Sequence, residues 1–243
     1  MKTAIGAAVL AASLTFGGAT TASVVHGTLD FAGHGGLKSS HTVSDGYLSV
    51  EATGHLLNSD GSLGTQEKIG QYGSYTWGTG GFGVTNDDET KKTCSGWGWW
   101  KSCKTKNTDS HQIDNHKNDE AVKLSFDKEV TITKVFFSYV DKWDDFSFSV
   151  FDGLGGVTEF TGRVQIDKLG YGGYYEFAPG SFAASSMFAF GAFKDNKHDL
   201  DGFKLRGVKY AHEVPAVPLP AGGALLLTGL AGIGFLRSRK KTA

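Results

Sequence analysis

Alternation of apolar and polar positions dominates the middle of the chain. The clearest run is Phe146-Ser147-Phe148-Ser149-Val150, whose apolar side chains fall on one face of an extended strand and whose serines fall on the other. That pattern predicts a half-buried strand. Comparable runs occupy Tyr47–Ala52, Ala121–Phe126, Val130–Val140, Val157–Ile166, Ser186–Phe193 and Phe203–Tyr210. Stretches such as Asp127-Lys128-Glu129 and Asp152–Gly156 separate them and predict turns. Parallel strands need long crossover helices, for which the chain has no pattern here, so the strands are expected to pair antiparallel. The expected fold is all-β, a jelly-roll-like antiparallel β-sandwich over residues 23–213, with no internal repeat and no second domain.

The two ends follow a different pattern. Residues 1–22 have the layout of a secretory signal peptide: Lys2 as the charged flank, Ala4–Phe16 as the apolar segment, and the small residues Gly17–Ala22 leading to a cleavage position after Ala22. Residues 214–243 contain Val217-Pro218-Leu219-Pro220-Ala221, then the apolar stretch to Leu236, then Arg237, Arg239, Lys240 and Lys241. The prolines hold an extended strip that a protease can grip without unwinding a helix. As a helix, Ala221–Leu236 would reach about 24 Å, short of the roughly 30 Å hydrocarbon core, so it is a marginal transmembrane helix. The basic cluster acts as a stop that keeps the C-terminus cytoplasmic and places the central domain across the inner membrane.

This tail resembles the C-terminal sorting signal of PEP-CTERM proteins, in the variant whose motif reads Val-Pro-Leu-Pro-Ala, here Val217–Ala221. The resemblance implies that an exosortase-like membrane protease cuts near the motif, that the inner membrane is a transient partner, and that the protein ends in the envelope or outside a Gram-negative cell. An ordinary C-terminal anchor is the competing reading of the helix and charges alone. The order of His111–Asn115, a strand, and then Phe146–Val150 is similar to ectodomains carried by many sorted proteins, which implies a fold and no activity.

Composition narrows the partners. With 24 Lys+Arg against 25 Asp+Glu the formal net charge is -1, so there is no positive excess for nucleic acid. Gly contributes 35 of 243 residues, which suits turn-rich β structure. The two cysteines, Cys94 and Cys103, are expected to pair in an oxidising compartment. They enclose Trp97, Trp99 and Trp100, too many indoles for so short a loop to bury within itself. Exposed, they form stacking faces for a polysaccharide or a protein; alternatively they fold back as a lid over the end of the sandwich.

Two acidic clusters suggest calcium as a cofactor. Asp199 and Asp201 lie in an oxygen-rich turn before the last strand, and Asp109, Asp114, Asn115 and Asp119 form a second acidic group. The first lacks the full twelve-residue loop with its closing Glu, so a plain solvated turn is the other reading. Catalytic patterns are weak. Gly78-x-Gly80-x-x-Gly83 is followed by a polar stretch instead of a helix, and Ser110, His111 and Asp114 are too close along an extended segment to form a triad. Asp144 and Asp145 keep a glycoside hydrolase as an alternative. The expected function is thus a non-catalytic envelope or extracellular-matrix protein. A glycan-binding module built on the three tryptophans is the first alternative.

Overall fold

The computed structural model describes residues 23–73, 80–86, 90–107, 111–194, 200–214 and 229–230. The signal peptide, the Val217–Ala221 motif, the basic stop Arg237–Lys241 and the candidate ligand Asp199 lie outside the described residues. Among the described residues no helix is long and apolar enough to cross a membrane. Val24–Glu213 forms one compact unit.

Strands are the dominant element among the described residues. In chain order these are β1 (Ser23–Asp30), β2 (Gly36–Lys38), β3 (His41–Ser44), β4 (Ser49–Leu57), β5 (Leu63–Tyr72), β6 (Gly81–Thr85), β7 (Thr90–Ser95) and β8 (Ser102–Asn107). Then follow β9 (Ile113–Asp114), β10 (Glu120–Ser138), β11 (Asp145–Phe151), β12 (Val157–Gln165), β13 (Asp167–Leu169), β14 (Gly172–Glu176), β15 (Ser185–Ala192) and β16 (Gly202–Val214). The registered pairs are antiparallel, as the strand pattern predicts.

β10 organises the fold. Its first half, Glu120–Phe126, pairs with β4 and β15, and β15 continues to β11 and β12. Its second half, Thr131–Ser138, pairs with β14 and β16. The predicted turn at Asp127-Lys128-Glu129 is therefore a correction: these residues are an exposed corner inside one continuous strand, marked by a register shift between Ser125 and Val130. The corner stays extended because its side chains are tied to the β3–β4 turn. Asp127 Oδ1 accepts from the Ser49 N–H at 3.1 Å, and Lys128 Nζ donates to the Tyr47 carbonyl at 2.7 Å. The turn predicted at Asp152–Gly156 is present, closed by Asp152 N–H to the Gly156 carbonyl at 2.8 Å.

Both groups of strands line one core. Phe137 on β10 meets Phe146 on β11 at 4.8 Å between ring centroids, and Phe146 meets Tyr175 on β14 at 5.5 Å. The apolar positions of the Phe146–Val150 alternation face this core, but β11 is not half-wet: all seven residues are buried. On its other face the β4–β5 loop and β15 supply polar partners. There Ser149 Oγ donates to the Gly61 carbonyl and Ser147 Oγ to the Gly191 carbonyl, both at 2.9 Å. Each buried hydroxyl is thereby satisfied, and serine behaves as a polar core residue. Leu57, Ala121, Phe151 and Ala189 form a second small cluster.

Candidate functional site: a tryptophan-tipped hairpin

The site stands on β7 and β8, which among the described residues pair only with each other. Their register sets Cys94 directly opposite Cys103, with Thr93 opposite Lys104 and Lys91 opposite Lys106, and the two cysteines form a disulfide. A single 3₁₀ turn, Gly98–Trp100, closes the tip, with Trp100 N–H donating to the Trp97 carbonyl and Lys101 N–H to the Gly98 carbonyl, both at 3.3 Å. Two glycines make that turn. Gly96 (φ 101°) and Gly98 (φ 59°) adopt the left-handed backbone, and a Cβ on Gly96 would fall 2.3 Å from the Trp100 carbonyl oxygen.

The three indoles are 94 %, 100 % and 85 % exposed at Trp97, Trp99 and Trp100, which overturns the lid reading. The reason is topological: a hairpin paired with no strand of the main sheet offers its tip nothing to fold onto. Neither β7 nor β8 has an apolar alternation, so nothing in their composition asks for a buried face. Five lysines and no acidic residue fall between Thr90 and Asn107. The side chains of Lys92, Lys101 and Lys104 are exposed.

The disulfide closes a short loop, for which chain-entropy arguments give about 2–3 kcal/mol. That stabilisation is local. Protein isolated without reductant is expected to resist alkylation at both thiols. Cys94→Ser is expected to move global unfolding by no more than about 0.5 kcal/mol while making residues 94–103 exchange and cleave faster. A large global loss in chemical denaturation would contradict this independence.

The acidic residues collect elsewhere, in a buried network around the start of β16. Asn115 exchanges three hydrogen bonds with Asp201: its N–H donates to the Asp201 carbonyl at 3.3 Å, its Nδ2 donates to Asp201 Oδ2 at 2.9 Å, and its Oδ1 accepts from the Asp201 N–H at 3.1 Å. Asp201 Oδ1 accepts from the Asp145 N–H at 3.0 Å. Asp144 accepts from the N–H groups of Asp141 and Gly202, and Asp145 is paired with Arg163. The His111–Asn115 segment thus acts as a clasp on β16, adding the short β9 pairing of Asp114 with Gly202. Both carboxylate oxygens of Asp201 face N–H donors, and among the described residues no three His, Cys, Asp or Glu are grouped to hold a metal. Asp144 and Asp145 belong to this internal network.

Burial pushes Asp201 up to about 7 and Asp144 up to about 6, against the N–H donors that pull each the other way; the charges of Asp145 and Asp144 add to the rise at Asp201. With folded-state values above the ordinary carboxylate value, the native state binds more protons than the unfolded chain between about pH 4 and about pH 7. Stability is therefore expected to fall as pH rises through that window. Thermal melts at about pH 5 and about pH 8 would show this, with the slope flattened in Asp144→Asn/Asp201→Asn. A melting temperature that rises with pH over this range would contradict it.

A shallow groove of about 620 Å³, unmarked in the sequence, lies over the β14, β10 and β16 rows. Phe136 lies there between Tyr174 and Gly207 in register, and Lys134 sits 3.7 Å over the Tyr174 ring and 2.6 Å from Glu176. Its aromatic residues, Phe136 and Phe137 on β10, Tyr174 on β14 and Tyr171 in the β13–β14 turn, lie far apart along the chain, so no local motif marks them. Gly83, the last glycine of the formal Gly-rich match, has a packing role: a Cβ there would lie 2.0 Å from the His111 carbonyl oxygen. Comparison with family models, with curated proteins and with solved structures gave no match.

Proposed function

We propose that the chain is an exported, exosortase-processed protein of the cell envelope or extracellular matrix, without a catalytic role, that makes contact with an envelope component through the Trp97–Trp100 tip. The carrying observation is the near-complete exposure of three neighbouring indoles on a cross-linked hairpin. A large apolar group held in water is costly unless something covers it, and a staple that pre-orders the loop lowers the entropy lost on binding. The signal-peptide layout of residues 1–22 and the Val217–Ala221 tail support delivery across the inner membrane. In this reading the body is a jelly-roll-like sandwich, and its buried carboxylates hold β9 and β16 together.

The second reading is a glycan-binding module on the same indoles, favoured by their uncovered flat faces. Fractionation of the host tests the shared claim of contact. Wild-type protein is expected in the envelope or matrix fraction, and Trp97→Ala/Trp99→Ala/Trp100→Ala is expected in the soluble fraction with its signal peptide removed and its melting temperature unchanged. Equal retention of both proteins would defeat the assignment of contact to the tip.

A further inference from the structure

We propose that the hairpin docks on an anionic lipid bilayer, with its indoles at the hydrocarbon boundary and its lysines among the lipid phosphates. This rests on reading the hairpin as the contact device, and it names the partner. The motivating observation is that two chemistries sort along the hairpin axis. Trp97, Trp99 and Trp100 form the apex, each at least 85 % exposed. Lys101 follows the apex directly. Lys104, opposite Thr93, lies two residue pairs behind the Ser95–Ser102 pair, about 7 Å along the strand, and Lys91 opposite Lys106 lies about 14 Å behind it.

Those distances match a bilayer surface. The polar layer on each side of the hydrocarbon is roughly 5–8 Å deep. With the indoles at its inner boundary, Lys101 falls within it and Lys104 at about its outer edge, while Lys92, opposite Thr105 and about 10 Å behind the Ser95–Ser102 pair, lies within about one Debye length above it. Indole is the side chain that favours this boundary, apolar in body with one N–H for the wet side. The charge is concentrated to suit: the hairpin carries five lysines and no acid in a chain of net charge -1. The remainder of the chain is therefore acidic, so an anionic surface attracts the hairpin and repels the body, which sets a tip-first approach. A polysaccharide explains less of this, because the three indoles follow one another around a convex turn instead of lining a concave site, and a neutral glycan makes no use of the lysines.

The test uses the full chain in vesicles of phosphatidylcholine, or of phosphatidylcholine with about a third phosphatidylglycerol, each with brominated acyl chains that quench nearby indoles. The C-terminal apolar segment is expected to attach every variant to both vesicle types, so the readout is local quenching and not sedimentation. Quenching with a blue shift is expected in the phosphatidylglycerol vesicles and is expected to vanish in Trp97→Ala/Trp99→Ala/Trp100→Ala. Lys92→Gln/Lys101→Gln/Lys104→Gln is expected to lower the docked-to-undocked ratio about 100-fold, at the usual attraction per basic residue. Raising salt from about 0.1 M to about 1 M, which shortens the Debye length from about 10 Å to about 3 Å, should act in the same direction.

Equal quenching on both lipids, or quenching that survives either triple variant, would overturn the proposal. Emission that shifts on added dextran or alginate without lipid quenching would also overturn it, leaving the hairpin as a contact device with a polysaccharide partner. No response to lipid or polysaccharide would defeat both readings. Because β7 and β8 pair with no other strand among the described residues, these variants are expected to keep the melting temperature of the body, which serves as the folding control.

Discussion

Phe148→Ala is expected to lower the free energy of unfolding by about 3–5 kcal/mol, the loss typical of removing a buried aromatic ring. Phe148 is 2 % exposed and touches four other rings, with centroids at 4.8 Å to Phe177, 5.0 Å to Phe182, 5.1 Å to Phe190 and 6.0 Å to Phe188. Phe188 and Phe190 stand on β15, while Phe177 and Phe182 belong to the connection between β14 and β15. Truncation therefore opens a cavity where the two groups of strands meet, and no single segment can move to fill it. Since domains of this kind are stable by only about 5–15 kcal/mol, the variant should melt roughly 6–20 °C lower. Phe148→Leu should lose less than half as much, and Trp99→Ala should stay within about 0.5 kcal/mol of wild type. A Phe148→Ala loss below about 1 kcal/mol in chemical denaturation would show that this aromatic cluster is not where the fold is held.

The other large effect concerns the tail. Pro218→Ala/Pro220→Ala is expected to leave signal-peptide removal and membrane insertion intact while a tail-bearing, membrane-bound precursor accumulates almost completely. Under the proposed sorting reading, alanines would let Val217–Ala221 join the helix expected of the apolar stretch, and the extended strip proposed as the protease's grip would be lost. Exchanging residues 222–236 for another apolar segment of equal length should be tolerated, since membrane residence depends on length and flanking charge. An ordinary anchor reverses both results. Immunoblots of the host with an antibody to the mature domain separate the cases by the size of the band.

How far the chain foretells its structure differs from element to element, for physical reasons. β11, β15 and β16 show in the sequence because their apolar alternation faces the core. β7 and β8 do not, because a hairpin with no buried face needs no apolar positions, and Thr, Lys and Ser alternate there without contrast. The corner of β10 is hidden for the opposite reason: Asp127, Lys128 and Glu129 have turn-like chemistry, but contacts from Tyr47 and Ser49 keep them extended. Ser147 and Ser149 look solvent-facing because sequence cannot show their buried partners, the Gly191 carbonyl on β15 and the Gly61 carbonyl of the β4–β5 loop.

The candidate site divides along the same line. Its disulfide and its aromatic content follow from a few adjacent residues. The full exposure of the indoles depends on β7 and β8 pairing with nothing else, a fact of topology. The clasp between Asn115 and Asp201 joins residues 86 positions apart, so their carboxylate and amide chemistry suggests a metal loop when read locally and a structural network once folded.

The mass of the mature protein, isolated from its own host without reductant, tests the central claim most directly. The account predicts a chain that begins at Ser23, ends upstream of Arg237, and weighs two hydrogens less than its residues because Cys94 and Cys103 are joined. A mature chain that still carries Met1–Ala22 or Arg237–Lys241, with both thiols free, would contradict it.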